Sequence, residues 1–146
     1  MGKFKVLIVE DEGKIFDMIK DEMGEAEYEY VRARNVAEAI DLYEYSEIFF
    51  DCYIVDLQIG PLGLTEKEMV DFFRCEGYAW IKNYVFKSMT NEEKNNFKKK
   101  TIICSKYVPQ FQDRYSSRER EGFAIVHKSS DFEKEIKKII SRICNK

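Results

Sequence analysis

The sequence is poor in the ligands that zinc and disulfide chemistry need. It has one histidine, His127, and four cysteines, Cys52, Cys75, Cys104 and Cys144, none of them in a Cys-x-x-Cys pair. That spacing excludes the usual zinc patterns. Cys52 and Cys104 lie in or beside apolar runs and read as small buried hydrophobes. No leader segment precedes the first apolar run, so reduced thiols and a cytoplasmic setting are expected. No apolar run reaches membrane-spanning length. Excess positive charge is missing too: 24 Lys and Arg against 27 Asp and Glu give a net charge of −3. Non-specific nucleic-acid binding therefore finds no support. There is no internal repeat and no low-complexity linker. A single soluble domain is expected, because 146 residues suffice for one core and are too few for two ordinary ones.

What the chain does have is alternation between apolar runs and amphipathic stretches. Residues 3–9 read as a strand buried on both faces. A helix is expected over 12–23, with Ile15, Met18, Ile19 and Met23 on one face and Gly24 at its end. Residues 27–34 alternate like a half-buried strand. Asn35 caps a helix over 36–46 whose face is Val36, Ala39, Ile40 and Tyr43. The third strand is placed at 52–57. A helix over 65–75 follows, and then Trp80, Ile81, Tyr84 and Val85 at helical spacing after an interruption at Gly77. Thr90 to Glu93 has the capping-box pattern, opening a helix that runs to about Lys99. Thr101 to Cys104 is the fourth strand, 109–120 a short and loosely packed helix, and Gly122 to Val126 the fifth strand. Ser130 to Glu133 repeats the capping-box pattern before a last helix carrying Phe132, Ile136, Ile139, Ile140 and Ile143 on one face. Strand and helix alternate throughout, so the sheet is predicted parallel with helices on both sides.

Chemistry concentrates at strand ends. The run Val6 to Val9 stops at Glu10, Asp11 and Glu12, and Tyr53 to Val55 stops at Asp56. Open α/β sheets place ligand sites at this edge, and two strands delivering carboxylates there suggest a site for a small hard cation. Acids after a strand can equally start a helix and be stabilised by its dipole, and for Glu10 to Glu12 both readings stand. Asp56 is different, because an unpaired acid among Tyr53 to Leu57 is costly. Ser105 and Lys128 gain weight only from their positions after strands four and five. Taken alone, His127 is structural or exposed, and Lys98 to Lys100 is a solvated helix end.

Glu10-Asp11-Glu12, Asp56, Ser105 and Lys128, in this order at four strand ends, resemble the receiver domain of two-component response regulators. The match spans nearly the whole chain. It implies a flavodoxin-like, CheY-like doubly wound sheet of five parallel strands in the order 2-1-3-4-5. It also implies Asp56 as phosphoacceptor for a histidine kinase or phosphotransfer protein. Mg²⁺ would be held by Glu10, Asp11, Asp56 and the main-chain carbonyl of Gln58, with Lys128 and Ser105 contacting the phosphoryl group. Such a chain catalyses only its own aspartyl phosphorylation and dephosphorylation. With no output domain expected, it would signal by protein contact; a homodimer is compatible, and neither nucleic acid nor membrane is a partner.

The sequence departs from the family pattern in four places. Ser129 follows Lys128 where proline is usual, Lys106 follows Ser105 where a very small residue is usual, and Ile125 stands in the aromatic position. The loop Gln58 to Gly63 is displaced by a residue. The interval from Asp56 to Ser105 is also long, which places an extra helical segment at about 76–99. Lys106, Ile125 and Ser129 motivate an alternative, a phosphorylation-independent pseudo-receiver. A phosphohydrolase is disfavoured because Gln58 replaces the second acid it needs. A flavodoxin is disfavoured by the acidic first loop.

Overall fold

Parallel registers decide which residues meet at the sheet edge. Val6 pairs with Cys52 and Val9 with Val55, so the acids that follow β1 and β3 leave the sheet side by side. The computed structural model describes residues 2–58 and 76–144. The helix expected over 65–75, and Cys75, lie outside the described residues. The strands are β1 (Phe4–Val9), β2 (Tyr28–Ala33), β3 (Cys52–Val55), β4 (Thr101–Ser105) and β5 (Ala124–His127). They form one sheet in the order β2-β1-β3-β4-β5, every pair parallel.

Helix α1 (Gly13–Met23) buries Ile15, Ile19 and Met23 and ends at Gly24, whose φ of +75° explains the glycine. Helix α2 (Val36–Ile40) is capped by Asn35, which accepts from the Glu38 amide, and continues into a π turn, Asp41–Tyr45. Helix α3 (Glu76–Trp80) likewise runs into a π turn, Ile81–Val85. Helix α4 (Asn91–Lys99) opens with the expected capping box between Thr90 and Glu93. Helices α5 (Val108–Arg114) and α6 (Ser117–Arg120) precede β5, and α7 (Phe132–Cys144) follows it. No described helix is long and apolar enough to cross a membrane.

Side-chain alternation divides the core. Val6, Ile8, Ile54, Ile102 and Val126 meet α1 and α7 on one face; Leu7, Val9, Val55 and Ile103 meet the other helices on the opposite face.

Three local expectations are corrected. The segment 109–120 is two helices, and the first is anchored: Phe111 is fully buried against Tyr78 and Tyr115, while Ser117–Arg120 buries no residue. Tyr84 is exposed, because the π turn widens the helix and leaves Trp80, Ile81 and Val85 as its buried residues. Residue Asp131, at φ +61°, precedes α7, so the Ser130–Glu133 pair is one residue out of register for a capping box.

Candidate functional site

Backbone hydrogen bonds carry the pairing one residue past each strand. The Glu10 amide donates to Ala33 (2.9 Å), the Asp56 amide to Val9 (2.9 Å) and the Lys128 amide to Ser105 (3.0 Å). Four side chains from four strands are thereby brought to one edge. Glu10, Asp56 and Ser105 are each buried, a placement that charged and polar groups hold only when partnered.

Lys128 supplies the partner. Its ammonium donates to Glu10 Oε2 at 2.7 Å and to Asp56 Oδ2 at 3.0 Å, with its side chain only 5% exposed. The remaining carboxylate oxygens are occupied by the main chain: the Glu12 amide donates to Glu10 Oε1 and the Gln58 amide to Asp56 Oδ1. The Ser105 hydroxyl accepts from the Tyr107 amide at 3.0 Å and lies near enough to Asp56 to favour its charged form.

The electrostatics follow from this crowding. Burial, then the neighbouring Asp56 charge, pushes the Glu10 carboxyl up to about 8, against the pull of Lys128. Burial also raises Asp56, against Lys128 and Ser105, and raises the half-buried Asp11. Burial pulls the Lys128 ammonium down, but the Asp56 and Glu10 charges outweigh it, and the net shift is upward. The three acids thus sit in a setting that favours a bound proton or cation.

Glu10, Asp11 and Asp56 each present an oxygen within 4.8 Å of the others. Hard oxygen donors at this spacing fit a divalent cation such as Mg²⁺. A cavity of about 170 Å³ opens over Asp11 and Asp56, lined also by Glu12, Gln58, Lys106, Tyr107 and Lys128. Glu10, Asp11, Asp56, Ser105 and Lys128 are therefore gathered at this edge. Gln58 follows Asp56 there, and its side chain is buried. His127 is exposed.

Three contributors escaped the sequence reading. Arg32, at the end of β2, donates to the carbonyls of Glu10 (3.0 Å) and Asp11 (2.7 Å) and fixes the acidic turn. An arginine on the strand beside β1 was the available signal. Gly77 donates its amide to Leu57 O, and a Cβ there would lie 1.9 Å from the Asp56 carbonyl oxygen. Tyr107 turns its amide onto Ser105, which no side-chain pattern announces.

The sequence matches no protein-family model and no curated protein. Solved structures do match. The structure is similar to the response regulator receiver domain protein (CheY-like) from Methanospirillum hungatei, with 19% identity, a TM-score of 0.66, and 99% of this chain and 96% of that chain covered. It is similar to the receiver domain of the Francisella response regulator 1452, with 18% identity, a TM-score of 0.65, and coverage of 97% and 96%. It is also similar to the response regulator TrrA from Thermotoga maritima in complex with Mg²⁺-BeF, with 23% identity, a TM-score of 0.64, and coverage of 96% and 98%. A doubly wound sheet in this strand order, with its acids gathered at the carboxyl edge, has the fold of a CheY-like response-regulator receiver domain.

Proposed function

We propose that the chain is a phosphoacceptor receiver, with Asp56 taking a phosphoryl group from a histidine kinase or phosphotransfer protein. The observation that carries this reading is the buried bridge from Lys128 to both Glu10 and Asp56, beside the open cavity. A structural acid would be fully enclosed; Asp56 lines a cavity while its charge is held by a lysine.

In the proposed reaction an Asp56 carboxylate oxygen attacks the phosphorus of a phosphohistidine. An acyl phosphate forms on Asp56, and the P–N bond breaks to leave the donor imidazole. Lys128 turns from the carboxylate to the incoming phosphoryl oxygens. The Ser105 hydroxyl moves to a phosphoryl oxygen, and the Tyr107 amide on the same hydroxyl shifts with it. Glu10, Asp11, Asp56 and the Gln58 main-chain carbonyl would hold Mg²⁺, which would supply charge neutralisation between donor and acceptor. Arg32 keeps the carbonyls of Glu10 and Asp11 in place. The protein catalyses no other turnover and signals by contact with a further protein. The whole chain acts as one unit, with the helical stretch at about 76–99 as its addition.

Lys106 favours a second reading. It lines the cavity where a small residue would leave room, so it either draws the donor in or fills the phosphoryl position, as a pseudo-receiver requires. Intact-mass measurement after incubation with acetyl phosphate and Mg²⁺ separates the two. One added phosphoryl group on the parent, and none on Asp56→Ala, is expected. No addition to the parent would sink the phosphoacceptor reading.

A further inference from the structure

A second concave surface lies away from Asp56 and has the opposite electrical character. It is a groove of about 930 Å³ between the α3–Phe86 stretch, α4 and the Arg118–Gly122 segment. Its size is near the top of the ~300–1,000 Å³ range of ligand clefts, room for several side chains rather than one small ion. Six cations line it, Lys82, Lys87, Lys94, Lys98, Lys99 and Arg118, against the carboxylates of Glu119 and Glu121. The chain as a whole carries a net charge of −3, so this is a local inversion.

Internal contacts use little of that charge. Glu119 is spent on Lys82 (3.4 Å) and on the Tyr78 hydroxyl (3.2 Å). Lys94 and Lys98 lie over the Phe86 and Phe123 rings, at 5.7 and 5.3 Å from the centroids, and Lys98 also donates to the Glu119 carbonyl. Lys98 is therefore no solvated helix end; it is turned into the groove wall. Among the described residues, Lys87, Lys94, Lys99 and Arg118 have no ion-pair partner. Asn91 and Asn95 add amides one helical turn apart on α4, suited to a main chain, and the half-buried Phe86 adds apolar surface.

We propose that this groove docks an acidic segment of a partner protein, one whose carboxylates alternate with aromatic or leucine side chains. The cations meet the carboxylates, Phe86 and the aliphatic lysine stems take the apolar residues, and the asparagines hold the backbone. A nucleic-acid strand fits less well, because Glu121 stands on the wall and the acidic remainder of the chain repels a phosphate track. The inference uses no residue of the Asp56 site and stands whether or not Asp56 is phosphorylated.

The test is fluorescence anisotropy on the full chain with a labelled peptide of about ten residues, Glu pairs alternating with Phe or Leu. Saturable binding that weakens with salt is expected. The double variant Lys87→Glu/Lys99→Glu, both exposed, should weaken it at least about tenfold, and Lys137→Glu/Lys138→Glu on α7 by less than about twofold. Should the first variant melt early, Lys99→Gln alone carries the comparison, with a smaller loss. No saturable binding, or equal loss from both double variants, overturns the proposal. Tighter binding of a thymidine oligonucleotide than of the peptide overturns it in favour of a nucleic-acid groove.

Discussion

The two faces of the sheet are built from different materials. One is mainly aliphatic: Val6, Ile8, Ile54 and Ile102 pack against Ile15 and Ile19 of α1 and Ile136 and Ile140 of α7, with Tyr28 and Phe132 as its buried rings. The other is aromatic: Tyr53, Tyr78, Trp80, Phe97, Phe111 and Phe123 fill the space under α2 to α6. Tyr43 meets Trp80 and Phe97 edge to face, with interplanar angles of 89° and 85°, and Tyr78 meets Phe111 and Tyr115 at 61° and 63°. Two longer helices cover the aliphatic face with regular stripes. Short helical pieces, two of them ending in π turns, cover the aromatic face and are joined by rings. A ring spans more space than a branched side chain and ties more elements together. The aromatic face should therefore depend on fewer residues, each with a larger effect.

The largest test of that difference is Trp80→Ala. Trp80 is fully buried and holds α3 against Tyr43. Truncation should cost about 3–5 kcal/mol in urea unfolding. The mildest trim of the other face, Ile136→Val, should cost about 0.5–1.5 kcal/mol. Equal losses would break the contrast.

Next in size is Gly77→Ala, which asks whether the aromatic side reaches the acid site. A Cβ at Gly77 would meet the carbonyl of Asp56, a main-chain atom that cannot rotate away. Either α3 lifts or the end of β3 moves. A destabilisation of about 1–3 kcal/mol is expected, with slower phosphoryl uptake from acetyl phosphate. Loss of stability with unchanged uptake would mean that α3 alone yields.

The same contrast explains what was legible in the sequence. Helices α1 and α7 repeat apolar residues on one stripe, and the strands are β-branched runs, so the elements and the aliphatic core followed from periodicity, while the strand order came from the resemblance to receiver domains. The four strand-end residues were legible because a charge that ends an apolar run has few places to go. Arg32 was not, because it acts on carbonyls, which no residue pattern encodes. Gly77 looked like an interruption, although its role is close approach. The π turns at Asp41–Tyr45 and Ile81–Val85 depend on tertiary packing of rings that a period of about 3.6 residues misassigns. Helices α5 and α6 read as one loose helix because Phe111 alone is buried within 109–120, whose other residues are polar or exposed.

A smaller effect, confined to the seam between the faces, is the pH dependence of the metal-free protein. Folding raises the Glu10 pKa from 4.5 to about 8. The folded chain then binds more protons than the unfolded chain across that window. Stability is fully present below 4.5 and falls as pH rises through about 8. Lys128 also holds its proton more tightly when folded, but that acts above its ordinary value of 10.5. Saturating Mg²⁺ should flatten the slope by compensating the crowded carboxylates. Melting temperatures between pH 5 and pH 8, with and without Mg²⁺, check this; an unchanged slope would remove Glu10 from the cation site.

The smallest test compares two helix starts that look alike in sequence, one on each face. Thr90 accepts from the Glu93 amide while Glu93 reaches back to the Thr90 amide, so α4 on the aromatic face has a closed capping box. The Ser130–Glu133 pair has the same spacing before α7. There the chain enters the helix through Asp131 at φ +61°, and Glu133 Oε2 finds no hydrogen-bond partner among the described residues. Thr90→Ala should cost about 0.5–2 kcal/mol, as cap removals do. Ser130→Ala should stay within about 0.5 kcal/mol, as exposed substitutions do. The asymmetry has a physical source. Helix α7 buries Phe132, Ile136 and Ile140 along one stripe, which anchors its start. Helix α4 buries only Phe97, so its first turn leans on the cap. Equal costs at the two positions would mean that α7 also depends on its terminus, and that the aliphatic face is held less firmly by its stripe than its burial indicates.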